Sequence, residues 1–226
     1  MREFISRLSP GSEVLLVLFT AFGLTIPVSL AALFGGLAGP AGGPPISDAA
    51  LLGTALYELV ILALLGAFLT LRGWTRARLG LTPSLRDSIL GLALAGLAYL
   101  GYLLLWIAVV SLWPRLTQIA AATHLVGGDL STASVLLISV VNPVFEELFV
   151  CGYVIAALRE RLGVTAAINL SAGIRVFYHL YQGAVGVVGI VPIALLFAYW
   201  FARTGRLWPL IVAHAILDLA ALLMQP

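Results

Sequence analysis

Residues 89–113, ILGLALAGLAYLGYLLLWIAVVSLW, run without one charged side chain. As an α-helix rising 1.5 Å per residue, such a stretch reaches about 37 Å, enough to cross a hydrocarbon core of about 30 Å. In lipid every backbone N–H and C=O must be satisfied internally, which leaves helices and closed barrels. The stretch lacks the polar/apolar alternation of a barrel strand, so it predicts a transmembrane helix. Working outward, six more apolar runs of comparable reach follow the same logic: Val14–Leu37, Ala49–Leu71, Ser134–Leu158, Val164–Tyr181, Ala184–Ala202 and Leu207–Met224. The expected fold is an all-α polytopic transmembrane bundle of about seven spans.

Composition agrees. The chain is 62% hydrophobic and 10% charged, too few polar residues to cover a soluble protein of 226 residues. Nothing resembles the clustered basic face a nucleic acid would need, so no nucleic-acid partner is expected. The single cysteine, Cys151, excludes an intrachain disulfide. The length suits one membrane domain, divided here into an N-terminal three-span region (1–133) with a basic loop at 72–87, and a four-span core (134–226).

Orientation follows from the arginines, the chain's only basic residues apart from histidine. Arg2, Arg7, Arg72, Arg76, Arg78, Arg86, Arg159, Arg161, Arg203 and Arg206 fall in alternate connections, against Arg115 alone in the others. By the positive-inside rule the N-terminus is cytoplasmic and, with seven spans, the C-terminus is outside. The first apolar run is too long for a signal-peptide core and is read as an uncleaved span. Trp74, Trp113 and Trp208 are expected as interfacial anchors, and the 72–87 stretch as lying along the inner headgroups. Gly39–Pro45 reads as an outer turn, and Pro114–Thr132 as the longest outer loop, with His124 a solvated bystander. Gly183, Gly186 and Gly189 suggest close helix packing. The location implied is a multi-pass protein of the plasma membrane, with the bilayer as its first partner.

Function has to come from polar groups where lipid tolerates few. An ionisable side chain at mid-bilayer costs at least about 2.5 kcal/mol, so each is a functional candidate. They are Glu58, Glu146, Glu147, Arg175, His179, His214 and Asp218, accompanied by Asn142 and Asn169. Counting helical rise from the inner ends places Glu146 and His179 at roughly 20 Å, and His214 and Asp218 at roughly 10 to 17 Å. Arg175 with His179, and His214 with Asp218, are i,i+4 pairs that share a helix face.

NPVFEELFVCGYV (142–154), RVFYHLYQG (175–183) and HAILD (214–218) resemble, in order, the EExxxR, FxxxH and Hxxx(N/D) motifs of the CPBP (Abi) intramembrane proteases. That family includes the type II CAAX prenyl endopeptidases and bacteriocin-processing or self-immunity proteins. The resemblance covers Asn142 to Asp218 and implies a hydrolase acting on a membrane-associated protein or peptide. Two positions depart from the pattern: Cys151 stands where the first motif has arginine, and Arg175 where the second has phenylalanine. Glu147 therefore lacks the family's arginine on its own helix. An unpaired buried carboxylate is costly, and Arg175, the one cation within the spans, is expected to reach across to it.

Peptide hydrolysis needs an activated water, a stabilised oxyanion and a proton for the leaving amine. The resemblance implies Glu146, His179, His214 and Asp218 as catalytic residues, with Glu147, Arg175 and Asn142 in support. Glu146, faced by His179, is the expected base; His214 is the expected oxyanion donor, oriented by Asp218; Asn142, one turn from Glu146, is placed to position the water. A divalent metal such as zinc on Glu146, His179 and His214 is the alternative. Cys151, flanked by Val150 and Gly152, reads as an inert buried thiol, and Glu58 as a helix–helix hydrogen-bonding group. Two other classes compete with a protease: a non-catalytic membrane partner of the same fold, serving immunity or assembly, and a proton-coupled transporter.

Overall fold

The computed structural model describes residues 8–33, 46–115, 117 and 130–223. The expected turn at Gly39–Pro45 and His124 lie outside them. Among the described residues the architecture is all-helical: α1 (Pro10–Phe22), α2 (Thr25–Leu33), α3 (Asp48–Leu71), α4 (Leu85–Leu112), α5 (Thr132–Glu146), a π-helical stretch (Glu147–Tyr153), α6 (Val154–Leu162), α7 (Val164–His179), a 3-10 turn (Leu180–Gln182), α8 (Gly183–Thr204) and α9 (Trp208–Leu223). Four helices start on the same device. Ser9, Ser47, Ser84 and Ser131 each sit just before α1, α3, α4 and α5 and accept a backbone N–H from three residues on. Each side chain satisfies a donor that the first turn otherwise leaves unpaired.

Four stretches are long and apolar enough to cross a membrane: Asp48–Leu71, Leu85–Leu112, Thr132–Leu162 and Gly186–Thr204. The third is central, with 67% of its apolar window buried within the protein, against 17% to 28% for the others. The expected first span is instead a helix pair bent by 55°. Pro27 explains the break: it has no N–H to return to Gly23, and its ring would press on that carbonyl. The α1 ladder accordingly ends where Gly23 N–H meets Phe19 O at 2.8 Å. The expected fifth and seventh spans correspond to α7 and α9, sixteen residues each. At about 24 Å they fall short of a full core width.

The 72–87 stretch is folded against the end of the bundle. Trp74 and Leu79 are buried, Leu207 N–H donates to Gly80 O at 2.9 Å, and Arg206 pairs with Asp87 at 2.6 Å. Gly80, at φ +71°, is obligatory: a Cβ there would lie 2.2 Å from Gly205 O. Close helix packing occurs between α4 and α9 at Gly91, where a Cβ would meet Val212 at 2.7 Å; at Gly189 a Cβ would stand at an ordinary 3.7 Å from Tyr102. The core between α1, α5, α7 and α8 is aromatic. Phe22 stacks on Tyr178 with centroids 5.0 Å apart, and Phe145 meets Phe149 edge-on at 5.2 Å.

Candidate active site

The central helix changes pitch where its chemistry begins. Glu146 closes α5, and Glu147–Tyr153 continue as π-helix before α6 resumes. Such wide turns are rare and recur at functional sites. Both adjacent carboxylates, which a regular helix would point some 100° apart, are here directed at the same two partners. Arg175 Nη2 lies 2.6 Å from Glu147 Oε1 and Nη1 lies 3.8 Å from Glu146 Oε2. His214 Nδ1 lies 2.7 Å from Glu147 Oε1, and Nε2 lies 3.9 Å from Glu146 Oε2. The irregular backbone is supported from α7, where the Ser171 hydroxyl donates to Val150 O at 2.8 Å.

The cation and the second glutamate are sealed in: Arg175 is 1% exposed and Glu147 0%, which makes their contact a fully desolvated ion pair. Cys151, at the position of the missing arginine, places Sγ 3.8 Å from Arg175 Nη2. The guanidinium thus enters from α7 beside Cys151, the position at which the motif has arginine. Glu147 also takes the position expected of Asp218, because it holds Nδ1 of His214. Asp218 instead approaches the other ring nitrogen, 3.4 Å from Nε2, and its second oxygen accepts from Asn142 Nδ2 at 3.0 Å. Asn142 is therefore tied to Asp218.

Glu146 is held by a residue that sequence reasoning missed. Tyr178 is buried and its hydroxyl donates to Glu146 Oε2 at 2.6 Å. His179, the expected neighbour, places Nδ1 2.9 Å from Arg175 O. A carbonyl only accepts, so in the neutral ring Nδ1 carries the hydrogen and Nε2 is left as an acceptor. No hydrogen bond joins His179 to Glu146 among the described residues, although the two are within electrostatic range. Glu58 of α3 also reaches the cluster. It is buried, within electrostatic range of Glu146, Asp218 and His214, and its Oε2 has no hydrogen-bond partner among the described residues. The available signal was its charge within an apolar span; its face could not be assigned without knowing how α3 packs.

The donor set does not suit a metal. Among the described residues no three His, Cys, Asp or Glu side chains converge as metal ligands. Glu146 Oε2 is occupied by Tyr178, and Glu147 by Arg175 and His214. What the arrangement offers is a carboxylate with one oxygen anchored, an imidazole acceptor, and an imidazole bracketed by carboxylates at both nitrogens.

Residues 128–220 match a family model described as Rce1-like, type II CAAX prenyl endopeptidase Rce1-like. The matched segment contains all three motifs, and the match supports the resemblance they carry. No curated protein and no solved structure matches the chain.

Proposed function

We propose that this chain, whose residues 128–220 are those of an Rce1-like CAAX-protease family, is an intramembrane endopeptidase that hydrolyses a peptide bond of a membrane-associated protein or peptide without a metal-dependent step. The observation that carries this reading is the meeting of Glu146, His179, His214 and Asp218 from three separate helices around one charged cluster. With Oε2 engaged by Tyr178, Glu146 keeps Oε1 for a water molecule. His179 Nε2 is the second acceptor for that water. As the water oxygen bonds to the scissile carbonyl carbon, Glu146 takes its proton, and the carbonyl electrons move onto oxygen. His214 carries a hydrogen toward that oxyanion on Nε2 while Glu147 orients the ring through Nδ1. The C–N bond then breaks, and Glu146 returns its proton to the leaving amine. Asp218, fixed by Asn142, positions Nε2 of His214.

The topology belonging to this reading is about seven spans with a cytoplasmic N-terminus in the plasma membrane. α7 and α9 then cross as short helices sheltered by longer neighbours. The 134–226 core supplies the catalytic groups and the 1–133 region their shelter. Purified protein in lipid nanodiscs is the material for the decisive experiment. Glu146→Gln, compared with wild type on a membrane-protein digest, is expected to lower cleavage by about 10²- to 10⁴-fold, the usual weight of a general base. Equal cleavage by the two proteins would remove Glu146 from the role of base, and no cleavage by wild type would leave a non-catalytic membrane partner.

A further inference from the structure

Away from the three motifs, the end of the bundle where α1 begins and α3 and α6 finish holds a cavity of about 300 Å³. Its floor is internally satisfied. Glu13 is buried and accepts from Arg72 Nε at 2.5 Å, from Trp74 Nε1 at 2.8 Å and from Tyr153 OH at 3.1 Å. Both oxygens of that carboxylate are engaged, and its charge is met by Arg72. The rim differs. The Arg78 guanidinium lies over the Trp74 ring, 3.8 Å from its centroid; stacking uses the face of the guanidinium and leaves its N–H edges free to donate. Arg161, in the last turn of α6, is exposed and makes no ion pair among the described residues. Glu160 is the one acid on the rim against these two cations.

The geometry points to a phosphate-binding site in this cavity, with the phosphodiester of a phospholipid headgroup as the group that Arg78 and Arg161 take up. Guanidinium N–H pairs match phosphate oxygens in spacing and plane. The cavity lies where helix ends and an indole mark the polar edge of the bundle, the level of lipid phosphates, and basic pockets at that level bind headgroups. The site does not depend on the catalytic reading. It lies at the far end of the central stretch, where Ala156, Ala157, Glu160 and Arg161 of α6 line it, and Tyr153, the last residue of the π-helical stretch, bonds the Glu13 floor.

Native mass spectrometry tests this on the full chain, counting phosphatidylglycerol retained after transfer from phosphatidylglycerol-containing nanodiscs into detergent. Wild type is expected to keep a lipid. Arg78→Ala and Arg161→Ala should each weaken retention about fivefold and the double variant about thirtyfold, the weight of one and two interfacial charges. Both side chains are exposed, so the unfolding temperature of the variants should stay that of wild type. Arg159→Ala, on the same helix but outside the cavity, should retain lipid normally. Inorganic phosphate added to protein in phosphatidylcholine separates the two sources of the anion. A thermal shift that the double variant lacks, without lipid retention, assigns a free anion; retention without the shift assigns the lipid. The site is overturned if the double variant behaves as wild type in both assays, or if Arg159→Ala loses as much lipid as the double variant does.

Discussion

Arg175 Nη2 lies 2.6 Å from Glu147 Oε1 and 3.8 Å from Cys151 Sγ, so an arginine at either 151 or 175 could in principle serve the same carboxylate. Removing one partner of a buried pair typically costs about 3–5 kcal/mol, because the other charge is stranded. Arg175→Phe is therefore expected to unfold the bundle at a clearly lower temperature and to abolish cleavage. Adding Cys151→Arg should recover much of both. A second substitution that restores nothing would refute the exchange. Tyr178→Phe probes the other glutamate: the ring keeps its stack on Phe22, while Glu146 loses a hydrogen bond worth about 1.5–3 kcal/mol. We expect kcat to fall by about 10- to 100-fold and the bundle to be destabilised by a comparable energy, measured as kcat well below the unfolding temperature and as thermal unfolding. A loss confined to KM would place Tyr178 in substrate binding instead. The Arg175–Glu147 contact was legible in the sequence because a carboxylate in lipid must find a counter-ion and the spans hold one permanent cation. Tyr178 was not legible. A tyrosine makes no such demand, and its partner depends on which face of α7 meets α5. For the same reason Glu147, rather than Asp218, could not be foreseen at Nδ1 of His214.

At the scale of elements, hydropathy located the long helices well because it reports the solvent. It is blind to changes of pitch within one. The π-helical turn at Glu147–Tyr153 and the break at Gly23–Leu24 both lie inside stretches that read as single helical spans. Pro27 was available as a signal for the second; the first has none, since its wide turn is sustained by contacts from other helices. Gly152 shows how tightly it is confined: a Cβ would stand 3.2 Å from both Leu207 Cδ2 and Leu79 O. Leu207 can yield slightly, whereas the Leu79 carbonyl belongs to a linker pinned by the Gly80–Leu207 hydrogen bond. Gly152→Ala is expected to destabilise by about 1–3 kcal/mol, as overpacking does. It should also lower activity by shifting both glutamates. Thermal unfolding in detergent reads the first effect, and cleavage measured well below the unfolding temperature reads the second. Full activity at unchanged stability would mean that the linker moves aside at no cost.

At the scale of the whole molecule, the 1–133 and 134–226 regions of the one expected membrane domain pack against each other. The family match begins at residue 128, and every motif residue lies beyond 133, which invites the view that 134–226 is self-sufficient. The packing argues otherwise. α9, which carries His214 and Asp218, presses Val212 and Pro209 against Gly91 of α4. Phe22 of α1 covers Tyr178, and Tyr57 of α3 sits near Phe145 and donates to the carbonyl of Ala21. Glu58 brings a further carboxylate to the cluster from the same N-terminal region. Without these helices the charged cluster would face lipid, where each unpaired ion costs several kcal/mol. We therefore expect the 134–226 fragment expressed alone to insert without its native packing, to be cleaved rapidly by added protease and to lack peptidase activity. Co-expression with a 1–133 fragment should restore a protease-resistant complex and part of the activity, because the helices associate after insertion. Limited proteolysis of the two preparations in nanodiscs decides the matter. A resistant, active fragment alone would show that the first region is dispensable shelter and that Glu58 has no part in the site.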